Sequence, residues 1–411
     1  MNIETYINLT RLVRKKPPIS EKQSLLKFFK KCSKVVKGKT LSIIPTYTSN
    51  IYPEIFSFLN EPGKSYLIWD QHLIDIFRNN FNNLCLLKVA DEKRDDANIQ
   101  KCINIMKSNL LCFLSWKTSQ YPELSYLLAN EAQRFNENCT IGVPKNLVSE
   151  ADSLIHIQKL FLFHHELYHH HYQNEPEEYK EYSKSAYYLI EFLLENLNLD
   201  LYYNLAEEIP FIKDVTEICT WKDVENYVCH VLKPENSSLL ELICDWYSAV
   251  DIYNGLLAIS EKNVKRKLTN IEKHRLLNHV YTGVQIAEIF LSTKKQLYET
   301  WDRCITVGNY VKKGMKEESR EQELDYLRPT LTHFLLMFSI YTMHNLKKIS
   351  EVPPKDPFEQ MIVKYYFPTM LQLKKPQFVT NSLLKAYDLE TMKLSHDILE
   401  KQRLQLLGWH V

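Results

Sequence analysis

Glycine is scarce in this chain, with only 8 glycines among 411 residues. Tight turns and glycine-rich phosphate-binding loops depend on glycine, because it adopts left-handed backbone conformations without steric cost. Nucleotide sites of that kind and folds rich in such turns are therefore disfavoured. Hydrophobic residues make up 45% of the chain and charged residues 25%, as in an ordinary globular protein. The composition predicts a globular, mostly helical fold.

The chain also lacks an excess of either charge. Lys and Arg together number 51, Asp and Glu together number 50, and the formal net charge is +1. Nucleic-acid binding through bulk positive charge is therefore disfavoured. One segment, residues 25–36, combines helical hydrophobic spacing with several lysines. We interpret it as a helix docked on the protein with its lysine face in solvent.

The sequence shows no pattern typical of a disulfide framework, a secretory signal or a membrane span. The 9 cysteines are odd in number and scattered, and no two of them form a C-x-x-C pair, which indicates reduced thiols. Residues 1–18 contain no apolar signal core. The uncharged stretch 329–346 carries histidines and hydroxyls, which favours a buried core helix over a membrane span. We expect a cytoplasmic protein without a membrane partner.

The fold class that we predict is α+β, mostly helical. Changes in the spacing of hydrophobic residues along the chain indicate three regions. Residues 1–110 form an N-terminal α/β region, 111–260 a central core, and 261–411 an all-α C-terminal region. Strands are expected at 42–47, 65–70, 111–116 and 139–148, the last as an edge strand because it contains a proline. Helices are expected at 71–84, 122–135, 149–172, 180–197 and 238–257.

An HExxH motif formed by His165, Glu166 and His169 lies inside the predicted helix 149–172. Histidines four residues apart share one helix face, so both imidazoles can reach one metal ion. Glu166 lies about 100° around the helix axis, which directs its carboxylate to the position of a metal-bound water. Roughly 0.04 chance matches are expected in a chain of this composition. The motif therefore predicts a zinc site, and the competing interpretation is a histidine-rich surface helix.

A catalytic zinc needs a third protein ligand and an open position for water. The metzincin continuation of the motif would require Gly at 172 and His at 175, where this chain has Tyr172 and Glu175, so that clan is rejected. Two later segments have the form E-x-x-x-D, one starting at Glu241 and one at Glu321, and such a pattern alone has little weight.

The surroundings of the two segments favour Glu241. It lies in a strongly apolar helical stretch, where a carboxylate needs a partner such as a metal ion, whereas Glu321 lies among charged residues. Asp245, one turn further on, could accept a hydrogen bond from a ligand imidazole and set its tautomer. The other candidates for the third ligand are Asp245 itself, Glu175, Glu208 and His230. A solvent-facing Glu241–Asp245 pair is the alternative interpretation.

Together these residues resemble the HExxH zinc metallopeptidases of the gluzincin type, over about residues 139–257. The resemblance implies a zincin-like core, in which a small mixed sheet packs on the HExxH helix and on a glutamate helix with zinc between them. It implies His165, His169 and Glu241 as zinc ligands, Glu166 as general base, and Asp245 as the carboxylate behind a ligand histidine. It also implies a substrate peptide lying along an edge strand, expected near residues 139–143.

The run C-D-x-x-x-A that ends at Ala249 is similar to the A-D-x-x-A signature of cytosolic bacterial peptidases, although its spacing is one residue longer. The similarity to phage-exclusion (Lit-like) and ImmA/IrrE-like peptidases implies an intracellular endopeptidase with one specific protein substrate, in phage defence or stress regulation. Candidates for stabilising the transition state are His274, His279, Tyr281 and His333. The alternative function is a helical interaction or scaffold protein whose metal is structural or absent.

Overall fold

The fold is taken from a computed structural model of the chain. The residues that the structure describes are 13–15, 23, 40–48, 53–58, 61, 63–117, 122–136, 141–174, 176–196, 237–306, 328–345 and 357–374. Most of them are helical. The predicted basic helix at 25–36 lies outside the described residues. The described residues confirm the predicted fold class, α+β and mostly helical.

A small mixed sheet is built from residues before position 71. Its strands are β1 (Val13–Lys15), β2 (Thr40–Thr48), β3 (Glu54–Phe56) and β4 (Lys64–Asp70), in the order β1-β2-β4-β3. Strands β2 and β4 are parallel, whereas β3 pairs antiparallel with β4 and forms one edge of the sheet. The strands predicted at 42–47 and 65–70 are thus confirmed. Nearly every residue of β4 is buried, as a central strand requires.

Two long helices that contact each other follow the sheet, α1 (Gln71–Glu92) and α2 (Asp96–Lys117). Asp70 caps α1, because its carboxylate accepts a hydrogen bond of 3.1 Å from the backbone N–H of His72. The strand predicted at 111–116 is wrong, since these residues are the last turns of α2. Met106, Leu110 and Phe113 are all buried at helical spacing, and a short apolar run alone cannot distinguish a strand from a buried helix.

The edge strand predicted at 139–148 is also wrong for the residues that the structure describes. After α3 (Pro122–Arg134), residues 141–144 have no strand pairing, and α4 (Lys145–Asn174) begins directly afterwards. The carbonyl of Pro144 accepts hydrogen bonds from the backbone N–H groups of Leu147 and Val148. Proline suits the start of a helix because its missing N–H is not needed there. The predicted strand break is therefore a helix start.

Helix α4 is the central element of the fold. It packs against α1, the edge strand β3, α5 (Pro176–Asn196), α6 (Ser237–Val264) and α7 (Asn270–Thr306). Its contact with α7 is close, because a Cβ atom built on Gly283 would lie 2.6 Å from Cγ2 of Ile157. Glycine at this position lets the two helix backbones approach each other. Residues on α4 are consequently held by neighbours on several sides.

The C-terminal part of the described chain is helical, as expected. It comprises α7, α8 (Arg328–His344), α9 (Pro357–Met361), a π-helical turn (Ile362–Tyr366) and α10 (Phe367–Lys374). Leu335, Leu336 and Ile340 of α8 are fully buried, so the uncharged stretch is a core helix, as predicted. Among the helices that the structure describes, none is long and apolar enough to cross a membrane.

The hydrophobic core contains side chains from all three predicted regions, including Leu67, Phe163 and Phe290. The predicted boundary near 110 falls within α2 and that near 260 falls within α6. The division into three domains stays a prediction. The sheet, however, is supplied by strands between residues 13 and 70 and not by the central region, which corrects where the sheet beside α4 was expected.

A lysine is buried in this core. Lys294 of α7 is 1% exposed, and its Nζ has no hydrogen-bond partner among the described residues. The Nζ lies 5.3–5.8 Å from the ring centroids of Phe77, Phe113 and Phe290. Burial lowers the pKa of Lys294 to about 7. The three rings offset only part of the cost of removing an ammonium group from water.

We expect Lys294→Met to stabilise the protein by about 3 kcal/mol below pH 7, because methionine fills similar space without a charge. Between pH 7 and the ordinary lysine pKa, the unfolded chain binds a proton that the folded chain does not. The stability of the wild type therefore rises with pH in this range, and the advantage of the variant shrinks. Denaturant unfolding at pH 6 and pH 10 measures both effects.

The matched control is Lys295→Met, which changes the exposed neighbour on the same helix and should alter stability by less than about 0.5 kcal/mol. A variant at Lys294 that is less stable than the wild type at pH 6 would contradict the prediction.

Candidate metal centre

Helices α4 and α6 bring three potential metal ligands together. Nε2 of His165 and Nε2 of His169 are 3.0 Å apart. Glu241 of α6 places Oε2 3.4 Å from Nε2 of His165 and Oε1 3.1 Å from Nε2 of His169. Among the described residues, these three are the group of His, Cys, Asp or Glu side chains that could hold a metal ion, with ligand atoms within 4.8 Å of one another.

The distances suit a small, four-coordinate cation. Two ligand atoms bound tetrahedrally at the ~2.0–2.1 Å of zinc bonds are ~3.3–3.4 Å apart, close to the separations found here. Two imidazole nitrogens that face each other at 3.0 Å repel through their lone pairs unless a proton or a cation lies between them. Imidazole and carboxylate are also a donor set that zinc uses in catalytic sites. The residues present therefore fit a zinc ion.

Asp245, one helical turn after Glu241, orients the first histidine. Its Oδ1 lies 2.7 Å from Nδ1 of His165, and its side chain is only 1% exposed. A proton on Nδ1 of His165 is thereby held towards Asp245, which leaves the Nε2 lone pair free on the side of His169 and Glu241. This is the position that the sequence assigned to Asp245.

Without a cation the centre attracts protons. Burial alone lowers the pKa of His165, but the charges of Asp245 and Glu241 and their hydrogen bonds outweigh burial and raise this pKa to about 10. Burial likewise favours the neutral form of Glu241, yet hydrogen bonds from His165 and His169 and the charge of Arg328 hold the pKa of Glu241 far below its usual range. The carboxylates of Asp245 and Glu241 therefore favour a positive charge on His165.

Glu166 lies beside the group without joining it. Its carboxylate is coupled electrostatically to His165, His169 and Glu241 and to Glu54 on the edge strand β3. Burial raises the pKa of Glu166, and the two histidines reduce that rise. A carboxylate that interacts with all three ligand residues, and is not itself one of them, suits proton exchange with a water that they would hold.

Arg328, the first residue of α8, is a site residue that the sequence analysis missed. Its Nη2 donates a hydrogen bond of 3.0 Å to Oε2 of Glu241, and its Nε donates one of 2.5 Å to Oδ2 of Asp245. A signal was present in the sequence, because Arg328 is the charged residue that immediately precedes the long uncharged stretch 329–346. A cation at the edge of so apolar a helix needs an anionic partner.

Glu288 of α7 is a second missed residue. It is 6% exposed, and its carboxyl group lies next to Asp245 and Thr332. Burial and the charge of Asp245 raise the pKa of Glu288 well above its ordinary value. The signal in the sequence was a single acid in an apolar helical run. Glu288 lies next to Asp245, and burial favours its neutral form.

The formal charges at the centre favour a cation between the histidines. Glu166, Glu241 and Asp245 contribute three negative charges when ionised, and Arg328 contributes one positive charge. A divalent cation between neutral histidines would offset the remaining negative charge, and a proton on His165 offsets part of it.

The remaining histidines of α4 make contacts to neighbouring elements. His164 Nδ1 lies 3.6 Å from Oδ2 of Asp251, His170 Nε2 lies 2.8 Å from Oγ of Ser65 in β4, and His171 Nε2 lies 2.6 Å from Oε2 of Glu178 in α5. As expected from the helix geometry, none of the three belongs to the group that could hold a metal among the described residues.

The predicted transition-state candidates are placed elsewhere or lie outside the description. His274 is bound to the backbone of Asn270 and to the Tyr341 hydroxyl, and His279 contacts Oγ of Ser153. Tyr281 is half-buried, and the side chain of His333 is not among those described. The alternative ligands Glu175, Glu208 and His230, and the second segment at Glu321, also lie outside the described residues.

Comparison of the chain with protein-family models, with curated proteins and with solved structures produced no match.

We expect His169→Ala to weaken zinc binding by more than about 100-fold, since loss of an outer partner alone costs about 10–100-fold and this change removes a ligand atom. The measurement is zinc per protein after dialysis, together with competition against a chelator. His171→Ala is the matched control on the same helix and should retain stoichiometric zinc. Stoichiometric, tightly held zinc in His169→Ala would refute the ligand set.

Proposed function

We propose that this protein is a zinc-dependent endopeptidase that hydrolyses peptide bonds of a specific protein substrate in the cytoplasm. The observation that carries the proposal is the convergence of His165, His169 and Glu241 at 3.0–3.4 Å, with the carboxylate of Glu166 beside them. Three protein ligands and an adjacent acid are the arrangement that zinc hydrolases use.

Each residue has a separate task in this proposal. Zinc, when bound, supplies Lewis acidity that lowers the pKa of a coordinated water towards about 7. Glu166 takes a proton from the attacking water and delivers it to the leaving amine. Asp245 holds His165 in the tautomer that presents Nε2, and Glu241 contributes the anionic ligand. The acid and the ligands are therefore on two helices whose packing sets their separation.

A structural metal site is the competing function, within a helical interaction protein. Structural zinc sites are closed by four protein ligands, whereas catalytic sites keep one position open. Among the described residues, three side chains form the group and no fourth His, Cys, Asp or Glu joins them. This ligand count favours the catalytic alternative.

The edge strand β3 is the surface on which we propose that the substrate lies. It replaces the segment at 139–143 that the sequence suggested, because β3 contacts α4 and Glu54 within it is coupled electrostatically to Glu166. An extended peptide can pair with the backbone of an edge strand, which leaves its side chains to determine specificity. The scissile bond would then pass close to Glu166.

Fewer observations support the proposed cytoplasmic location and regulatory role. Cys85 and Cys244 are free and buried, which suits a reducing compartment. Phage defence or stress regulation is proposed from the similarity of the segment ending at Ala249 to the signature of cytosolic bacterial peptidases. Identification of the cleaved protein would establish this role.

We expect Glu166→Gln to keep zinc but to lose at least about 10²-fold in cleavage rate, because the amide cannot accept a proton in general base catalysis. New protein N-termini are compared in cells that express the wild type or the variant, and zinc is measured in both purified proteins.

The matched control is Glu150→Gln, the same change about four helical turns before the motif on α4, which should cleave like the wild type. Equal sets of cleaved proteins with the wild type and Glu166→Gln would refute the peptidase. A closed four-ligand shell around stoichiometric zinc would establish the structural alternative instead.

A further inference from the structure

We propose that Arg328 is a positioning residue of the metal centre, which holds Glu241 as a ligand through one oxygen and keeps Asp245 aligned with His165. The proposal rests on the proposed function, in that it assumes a zinc ion at His165, His169 and Glu241. It adds that the C-terminal helices are a component of the centre, a role that sequence analysis left unassigned.

The geometry of the guanidinium group connects two carboxylates with different tasks. Nη2 donates to Oε2 of Glu241, and Nε donates to Oδ2 of Asp245, the oxygen that does not face His165. Each carboxylate thus has one oxygen on Arg328 and the other within 3.1 Å of a histidine nitrogen, while Oε2 of Glu241 also lies 3.4 Å from Nε2 of His165. The planar, rigid fork of arginine suits this double contact, whereas a lysine ammonium is a flexible point charge.

The contact distinguishes the two oxygens of Glu241. Oε1 lies 3.1 Å from Nε2 of His169, whereas Oε2, which lies 3.4 Å from Nε2 of His165, also accepts the hydrogen bond from Arg328. A carboxylate free to use both oxygens would take two coordination positions. By holding Oε2, Arg328 favours binding through a single oxygen and leaves one position for water.

The backbone of Arg328 is anchored by contacts further along α8. Nε1 of Trp246 in α6 donates a hydrogen bond of 2.9 Å to Oγ of Ser339, and Nε2 of His344 lies 3.0 Å from Oδ1 of Asn254. Both contacts join α8 to the glutamate helix α6. Because α8 packs against α6 and is hydrogen-bonded to it at Ser339 and His344, the guanidinium group approaches Glu241 and Asp245 from a helix and not from a loop.

The charge of Arg328 also limits the cost of the buried acids. Asp245 is 1% exposed, and a buried carboxylate that loses its ionic partner is strongly destabilised. Glu288, as an acid, supplies no positive charge beside Asp245. Among the described residues, removal of Arg328 would leave Asp245 with His165 as its ion-pair partner, so the position of the imidazole would change.

The test measures zinc affinity by competition with a chelator in the full-length protein, for the wild type, Arg328→Met, Arg328→Lys and Arg266→Met. Arg328→Met should bind zinc about 10- to 100-fold more weakly, and Arg328→Lys should lose less. Arg266, which also makes a two-point contact, pairs with Glu272 on the surface and provides the matched control. Its affinity should equal that of the wild type.

A spectroscopic measurement separates positioning from a general loss of structure. Cobalt(II) replaces zinc in each protein, and its visible absorption weakens when the coordination number rises above four. The spectrum of Arg328→Met should weaken in this way if both oxygens of Glu241 become available, while the spectrum of Arg266→Met stays unchanged. Circular dichroism and thermal unfolding of the metal-free proteins verify that each variant is folded.

The outcomes distinguish this inference from the proposed function. A folded Arg328→Met with the zinc affinity and cobalt spectrum of the wild type would overturn the positioning role and leave the peptidase proposal standing. Equal losses in Arg328→Met and Arg266→Met would overturn it too. A wild type without zinc affinity would overturn both proposals, whereas weaker binding confined to Arg328 variants, with partial rescue by lysine, supports the positioning role.

Discussion

The packing of α4 against α6 is the constraint on which the candidate site depends. The regular helix places His165 and His169 on one face of α4, but a metal site needs a third donor from another element. Glu241 reaches them because Leu242, Ile243 and Ala249 bury the surrounding surface of α6. The apolar packing and the polar site are therefore consequences of the same helix pair, with the acids confined to one edge of the contact.

Electrostatics then sets what the centre requires. Several carboxylates lie where water has little access, and each must be neutralised or paired. The acids differ in their surroundings: burial favours the neutral form of Glu288, Asp245 is paired with Arg328 and His165, and Glu241 faces two imidazoles. The carboxylates beside His165 and His169 therefore make this group suited to a cation.

Predictions from sequence were accurate where the determining contacts are local. The start of α1 depends on Asp70 and its own neighbour, and the break before α2 lies in a charged run of residues 91–96. The strand predicted at 111–116 was wrong because a short, mostly apolar run suits either a buried strand or a buried helix, and only packing against α1 and α3 distinguishes them. Residue 144 likewise could end a strand or begin a helix.

The sequence by itself determined the helical character, the HExxH face of α4 and the preference for Glu241 and Asp245, because periodicity and local polarity are properties of neighbouring residues. Only the tertiary structure decided that β3 is the strand beside the site and that Arg328 and Glu288 lie next to Asp245. These residues come from segments far apart in the chain. Their meeting depends on how whole helices pack, which no local pattern records.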